Sequence, residues 1–405
     1  MTFRSTFLLG TAQILAWGGS FFLLAVLADP IISDTGWSRQ AVLAALSLGV
    51  LVAGLASPFV MARLQKWGEL RVLVLGTAFI AAGLLVMAIS TCLPVYILAW
   101  TLIGMGMAGG LYDALFAALG NIYRTDARAA IVHITLVSGF CTTITFPLLA
   151  FLLSWLGWRG ACAAYAAILL LAVPLMYRHA FAQNAVKRNG VPPAAAPAQA
   201  GAGTIDATTY MLVSLVFVLA SVTMTMMSIH LIPILKGIGY SMVGAIALSS
   251  MLGPTQVIAR IVEVFAKNMH PAWTTFASCL LVATGIALLC VAPAAGLIAI
   301  LIFGAGNGLR AVVRGTLPLA VFPANQYSAV MGRLARPALI GQAATPLMGS
   351  YSLAYLGARG TLVATLGLAI LSLALVSALL MHLRRANQRA HRLNLPTPGA
   401  GANTP

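Results

Sequence analysis

Asp113, Arg310 and Arg314 each interrupt a long apolar run, where an ion is costly unless it meets a partner or water. That makes them the first candidates for chemistry. Arg310 lies one turn before Arg314 on the same helical face, so the two would attract an anion together. Asp113 is the only acid in the apolar core of the first half, which suits it to carry a proton. Arg260, in QVIARIVE at 256–263, is a further anion candidate, with Glu263 and Lys267 as competing neighbours along the helix. His230, in MMSIHLIPIL at 226–235, has the titration range of a proton relay, though a lone histidine serves as often in packing. Gln13, Trp17 and Ser20 recur at helical spacing and would form one polar-aromatic face, joined by Tyr112 and Asn307 as substrate-binding residues.

Other chemistry finds no support. The sequence has no Walker-type phosphate loop, catalytic triad, HExxH site, CxxC pair or histidine cluster at metal spacing. No catalytic residue, metal or cofactor is therefore expected. Cys92, Cys141, Cys162, Cys279 and Cys290 read as small core residues. The glycine-rich GMGMAGG at 104–110 follows no strand and precedes no lysine, so it reads as a surface for close helix packing.

The elements that must position these residues are membrane helices. Hydrophobic residues make up 61% of the chain and charged ones 7%, and mean hydropathy is +0.98, far from the composition of a soluble domain. In lipid the backbone must satisfy its own hydrogen bonds, and the long unbroken apolar runs select helices over a barrel. Hydropathy and polar punctuation place spans near 7–28, 40–62, 71–91, 95–119, 130–153, 160–178, 209–235, 242–265, 273–292, 296–320, 331–354 and 360–382. Arg4 and the apolar run after it are counted as the first span, since the run exceeds a signal-peptide core. The Ala/Pro/Gly-rich stretch between His179 and Asp206 reads as a flexible linker. The expected domains are thus a six-helix bundle at 1–178, a linker at 179–206, a second bundle at 207–383 and a disordered basic tail at 384–405.

Charge fixes the expected orientation. The outer side keeps only Arg39, Arg159, Lys236 and Arg359, while the other basic residues, Lys267 and those of the tail from Arg384 to Arg392 among them, fall on the opposite side. Both termini and the linker are therefore expected in the cytoplasm, with the tail near anionic lipid. The net charge of +16 does not signal nucleic acid, because the basic residues are scattered and carry no interleaved aromatics.

The two halves echo one another. LGWRG at 156–160 returns as LGARG at 356–360, and Gly104 and Gly106 return as Gly304 and Gly306, all at an offset of 200. Thr145 before Pro147 is echoed by Thr345 before Pro346, and GWS at 36–38 by GYS at 239–241. The same offset maps Asp113 beside Arg314.

On these features the whole chain resembles the major facilitators, and within them bacterial members similar to monocarboxylate transporters. The resemblance rests on GWSR at 36–39, GLYDALFAALG at 110–120, LGWRGA at 156–161 and RGTLPLAVF at 314–322. It departs from the superfamily's loop pattern at 61–71, MARLQKWGELR, where Gly68 and Arg71 fit but Gln65 replaces the expected acid. The resemblance implies an all-α membrane protein of twelve transmembrane helices in two pseudo-twofold-related six-helix bundles. It also implies that helices 1, 4, 7 and 10 line a central cavity, putting Asp113 and Arg314 across it, and that Arg260 corresponds to a substrate-binding arginine. Asp113 would then carry a proton or compete for the arginines in the empty state, or else form a permanent structural salt bridge.

The expected function is secondary active transport of a small anionic organic solute, coupled to protons, by a monomer in the bacterial inner membrane. Its partners would be that solute, the coupling proton and the lipid bilayer. The alternatives are an efflux permease for drugs or arsenicals in the same fold and a non-transporting membrane sensor.

Overall fold

The computed structural model describes residues 2–124, 127–188, 205–265, 269–323 and 325–392, and these are almost entirely helical. In chain order the helices are α1 (Phe3–Gly18), α2 (Leu24–Thr35), α3 (Arg39–Trp67), α4 (Glu69–Ala88), α5 (Leu93–Gly110), α6 (Tyr112–Tyr123) and α7 (Ala127–Ser138). They continue as α8 (Cys141–Arg188), α9 (Ala207–Gly237), α10 (Met242–Ser250), α11 (Leu252–Phe265), α12 (Pro271–Val291), α13 (Gly296–Val321) and α14 (Tyr327–Arg392).

Among the described residues, nine helical stretches are long and apolar enough to cross a membrane. Two of them hold two crossings each, because α8 turns at Gly157 and α14 at Gly357. The first crossing is divided between α1 and α2, each too short to span alone. Among the described residues the nine stretches thus account for eleven of the expected crossings, and α1 with α2 for the twelfth.

The sequence echo has a conformational cause. Gly157 and Gly357 turn the chain with φ of 65° and 68°, a region where a side chain would be strained. GWS and GYS are caps as well. Ser38 accepts the amide of Ala41 at 3.2 Å to start α3, and Ser241 accepts that of Gly244 at 3.1 Å to start α10. Gly106 and Gly306 give close helix approach, since a Cβ would lie 2.5 Å from the Ile80 nitrogen in one half and 2.7 Å from the Ser278 carbonyl in the other.

Two boundaries differ from expectation. α8 runs on to Arg188, past the end of the sixth span at 178, and α14 runs to Arg392. Apolar helices here continue into polar sequence because Lys, Arg, Gln and Ala are themselves good helix formers. Of the linker expected at 179–206 and the tail expected at 384–405, residues 189–204 and 393–405 lie outside the described residues, as do Lys267 and the side chain of Gln65.

The chain resolves into two compact units that do not follow the sequence halves strictly. Unit 1 comprises Met1–Ile122, His133–Thr204 and Asn325–Arg336; unit 2 comprises Tyr123–Val132, Ile205–Ala324 and Pro337–Pro405. Each half therefore lends a short segment to the other's unit. Within unit 1, fully buried Tyr327 lies directly on Gly120 of α6, and Gly332 rests on Met61 and Pro58 of α3. Within unit 2, Arg128 of α7 faces buried Glu263 of α11 at 3.6 Å and donates to the Met269 carbonyl at 2.6 Å, while Thr274 donates to Glu263 at 3.3 Å.

Candidate functional site

Unit 1 interrupts three of its crossings. The first breaks between Gly18 and Leu24, the fourth at Leu111 and the fifth between Ser138 and Cys141. At the fourth, Leu111 is extended (φ −93°, ψ −172°), so α5 ends at Gly110 and a new helix begins at Tyr112. Asp113 consequently sits in the first turn of α6, where the helix dipole favours negative charge. It also interacts electrostatically with Tyr327.

The side chains of unit 1 converge on these breaks. Gln13 is fully buried and donates to the Gly110 carbonyl at 2.9 Å and to the Tyr177 hydroxyl at 3.2 Å. It thereby serves a carbonyl at a helix end, where intrahelical partners run out. Trp17, in the last turn of α1, has its ring 5.2 Å from Tyr112 and 5.7 and 6.0 Å from Phe21 and Phe22. Tyr112 stacks on Phe116 at 5.1 Å and shares a hydrogen bond with Ser138 at the fifth-crossing break. The Trp17 Nε1 is buried and has no hydrogen-bond partner among the described residues.

Unit 2 gathers the arginines differently. Two small adjoining cavities open between α9, α12, α13 and α14. Both contain Arg310, and Arg314 lines the first. The Arg310 Nε donates to buried Asn307 Oδ1 at 3.0 Å, and its Nη2 lies 2.8 Å from the Met224 sulfur of α9. Arg260 approaches α13 elsewhere, donating to the Gly308 carbonyl at 3.3 Å. His230 is buried against Gly349, with its Nε2 lacking a partner among the described residues.

The structure thus brings Arg310, Arg314 and Asn307 together in unit 2, and Gln13, Trp17, Tyr112 and Asp113 around the helix breaks of unit 1. Arg260 and His230 stand apart from the unit 2 cavities. Sequence reasoning passed over Thr223, Met224, Ser278 and Cys279, which complete the cavity walls. Their spacing on α9 and α12 is the available signal, but it becomes meaningful only once Arg310 marks the facing stripe.

Twelve crossings, an internal repeat and ionisable side chains held inside apolar helices define a multi-pass membrane transporter. The chain belongs to the Major Facilitator Superfamily, whose family model matches residues 9–333. Monocarboxylate transporter 11 of Mus musculus is 32% identical over 147 residues, covering 35% of this chain and 30% of that protein. The match spans less than a third of that relative's length. Among solved structures, the proton:xylose symporter XylE bound to 6-bromo-6-deoxy-D-glucose is similar with a TM-score of 0.71 at 13% identity, covering 92% of this chain and 94% of that one. The human organic anion transporter MFSD10 is similar with a TM-score of 0.66 at 15% identity, covering 92% and 98%. These likenesses establish the fold.

Proposed function

We propose that this chain is a secondary active transporter that moves a small anionic organic solute by alternating access, coupled to protons through Asp113. The observation that carries the reading is the placement of Arg310 and Arg314 on α13, both lining a cavity inside unit 2. Guanidinium groups that line a cavity within a membrane helix bundle make charge-assisted bonds to an organic anion, which are stronger than those to neutral acceptors. The partial likeness to a monocarboxylate transporter and the fold shared with an organic anion transporter support the same class of solute. Asp113 supplies the group that can bind a proton, and the first turn of α6 gives its carboxylate a favourable field when the proton leaves. In this reading the protein works as a monomer in a bacterial inner membrane, with both termini in the cytoplasm.

The test is uptake and efflux of short-chain monocarboxylates, lactate and acetate, by proteoliposomes under an imposed pH gradient. Arg314→Ala is expected to lower flux at least ~10-fold, as loss of a charge that holds its counter-ion does. Asp113→Asn is expected to abolish accumulation driven by the gradient while leaving exchange of internal for external solute. Wild-type flux in both variants would remove these residues from the mechanism.

A further inference from the structure

We infer that the unit 2 cavity is a built anion subsite with a resident competitor, in which the Met224 thioether holds Arg310 until a small carboxylate displaces it and Thr223 supplies a second hydrogen bond. The inference deepens the anion reading above and rests on it.

Thr223 provides the first observation. Hydroxyls on these helices usually bond back to the carbonyl four residues earlier, as Thr255 does to Met251, Thr316 to Val312 and Thr345 to Gly341. Thr223 does not. It is 2% exposed, its Oγ1 has no hydrogen-bond partner among the described residues, and it lines the second cavity with Arg310. A buried hydroxyl left this way is unfavourable, and a ligand oxygen would relieve it.

Met224 provides the second. A thioether is a weak acceptor, yet its sulfur lies 2.8 Å from the Arg310 guanidinium in the cavity that Thr223 lines. A carboxylate in that place makes charge-assisted bonds roughly twice as strong as neutral ones. Methionine is flexible enough to withdraw when displaced. Once Met224 withdraws, the apolar walls Ala220, Val282 and Phe303 would face the ligand's short aliphatic body.

The sign of the Met224 effect separates this role from simple packing. A packing residue weakens binding when changed, whereas a competitor strengthens it. Full-length protein purified in detergent is titrated calorimetrically with butyrate, and with butyramide as the uncharged isostere. Met224→Leu, which keeps volume and removes the acceptor, is expected to tighten butyrate binding ~3-fold. Thr223→Val is expected to weaken it ~3- to 10-fold, and Arg310→Gln to abolish it. Butyramide is expected to bind none of them.

Met224→Leu that binds butyrate no more tightly than wild type, Thr223→Val at wild-type affinity, butyramide bound as well as butyrate, or wild type that binds no butyrate would each overturn the inference. Thr223→Val and Met224→Leu are near-isosteric, so the result does not depend on Arg310→Gln folding. Butyrate binding without gradient-driven flux would bring down the transport reading and leave the subsite standing. Flux without the Met224 effect would do the reverse.

Discussion

Unit 1 breaks its first, fourth and fifth crossings, while the corresponding seventh, tenth and eleventh, in unit 2 except for the stretch of α14 up to Arg336, run without interruption in α9, α13 and the first part of α14. The repeat makes the cause readable. At the offset of 200, Gly110 corresponds to Arg310 and Gly139 to Leu339; at the offset of 203 set by GWS and GYS, Gly18 and Gly19 correspond to Ser221 and Val222. Glycine within a helix costs about 0.5–1 kcal/mol relative to alanine and permits the chain to leave the helical path. Replaced by longer side chains, the same positions keep the backbone ladder closed. Unit 1 therefore offers helix ends, a carboxylate and aromatic rings, and unit 2 offers guanidinium groups and hydroxyls on intact helices. Duplication supplied one architecture, and the exchange of glycine for side chain divided the work within it.

The largest expected effect tests what the units share. Gly106→Val and Gly306→Val each drive a side chain into a neighbouring helix backbone, and each is expected to cost ~3 kcal/mol or more and to abolish the monodisperse peak in size-exclusion chromatography. If only one variant fails, the two units do not rely on the same packing.

A smaller effect sharpens what they do not share. A Cβ at Gly110 would meet Gly76 and Thr77 at 3.3 Å, close but not impossible. Gly110→Ala is expected to leave thermal stability within ~1 kcal/mol of wild type while reducing proteoliposome flux several-fold, because it favours a continuous fourth crossing. Wild-type flux would make the interruption incidental to function.

The smallest effect compares the units' first caps. Asp206 starts α9 by accepting the Thr209 amide at 2.8 Å and hydroxyl at 2.6 Å, with His382 also at 2.8 Å. The Thr209 hydroxyl above all, then the Thr209 amide and His382, hold its carboxyl down to about 2 against an ordinary 3.8. Because the folded value is the lower one, the stability it adds is complete above about pH 4 and fades as the pH falls toward 2. Asp206→Ala should cost ~1 kcal/mol near neutrality and progressively less in acid. Thr2 caps α1 through the Ser5 amide at 3.3 Å with a hydroxyl, which does not titrate in this range, so Thr2→Ala should cost stability independently of pH. Melting temperatures across that range, measured for both variants, decide the matter.

Much of this fold was legible because its signals are local. The turns at Gly157 and Gly357 and the caps at Ser38 and Ser241 are written in a few adjacent residues, and Arg310 stands out as an ion in an apolar run. The interruption at Leu111 was not legible. Hydropathy is blind to backbone angles, and the glycines at 104–110 support close packing and a helix end equally well. Gln13 illustrates the same limit: helical spacing suggested a face shared with Trp17, but its amide turns inward to Gly110 and Tyr177. Thr223 and Met224 gain meaning only from Arg310, a neighbour in space and remote in sequence.

The exchanged segments bear on how the protein is made. Tyr123–Val132 leaves the ribosome before the remainder of unit 2 exists, and the stretch that seats Tyr327 on Gly120 emerges some two hundred residues after that glycine. Unit 1 therefore cannot mature as an early, self-sufficient product. A nascent chain released at the end of the sixth crossing would display an unfilled notch on α6 and a bare patch at Met61, the kind of apolar surface that quality-control machinery recognises.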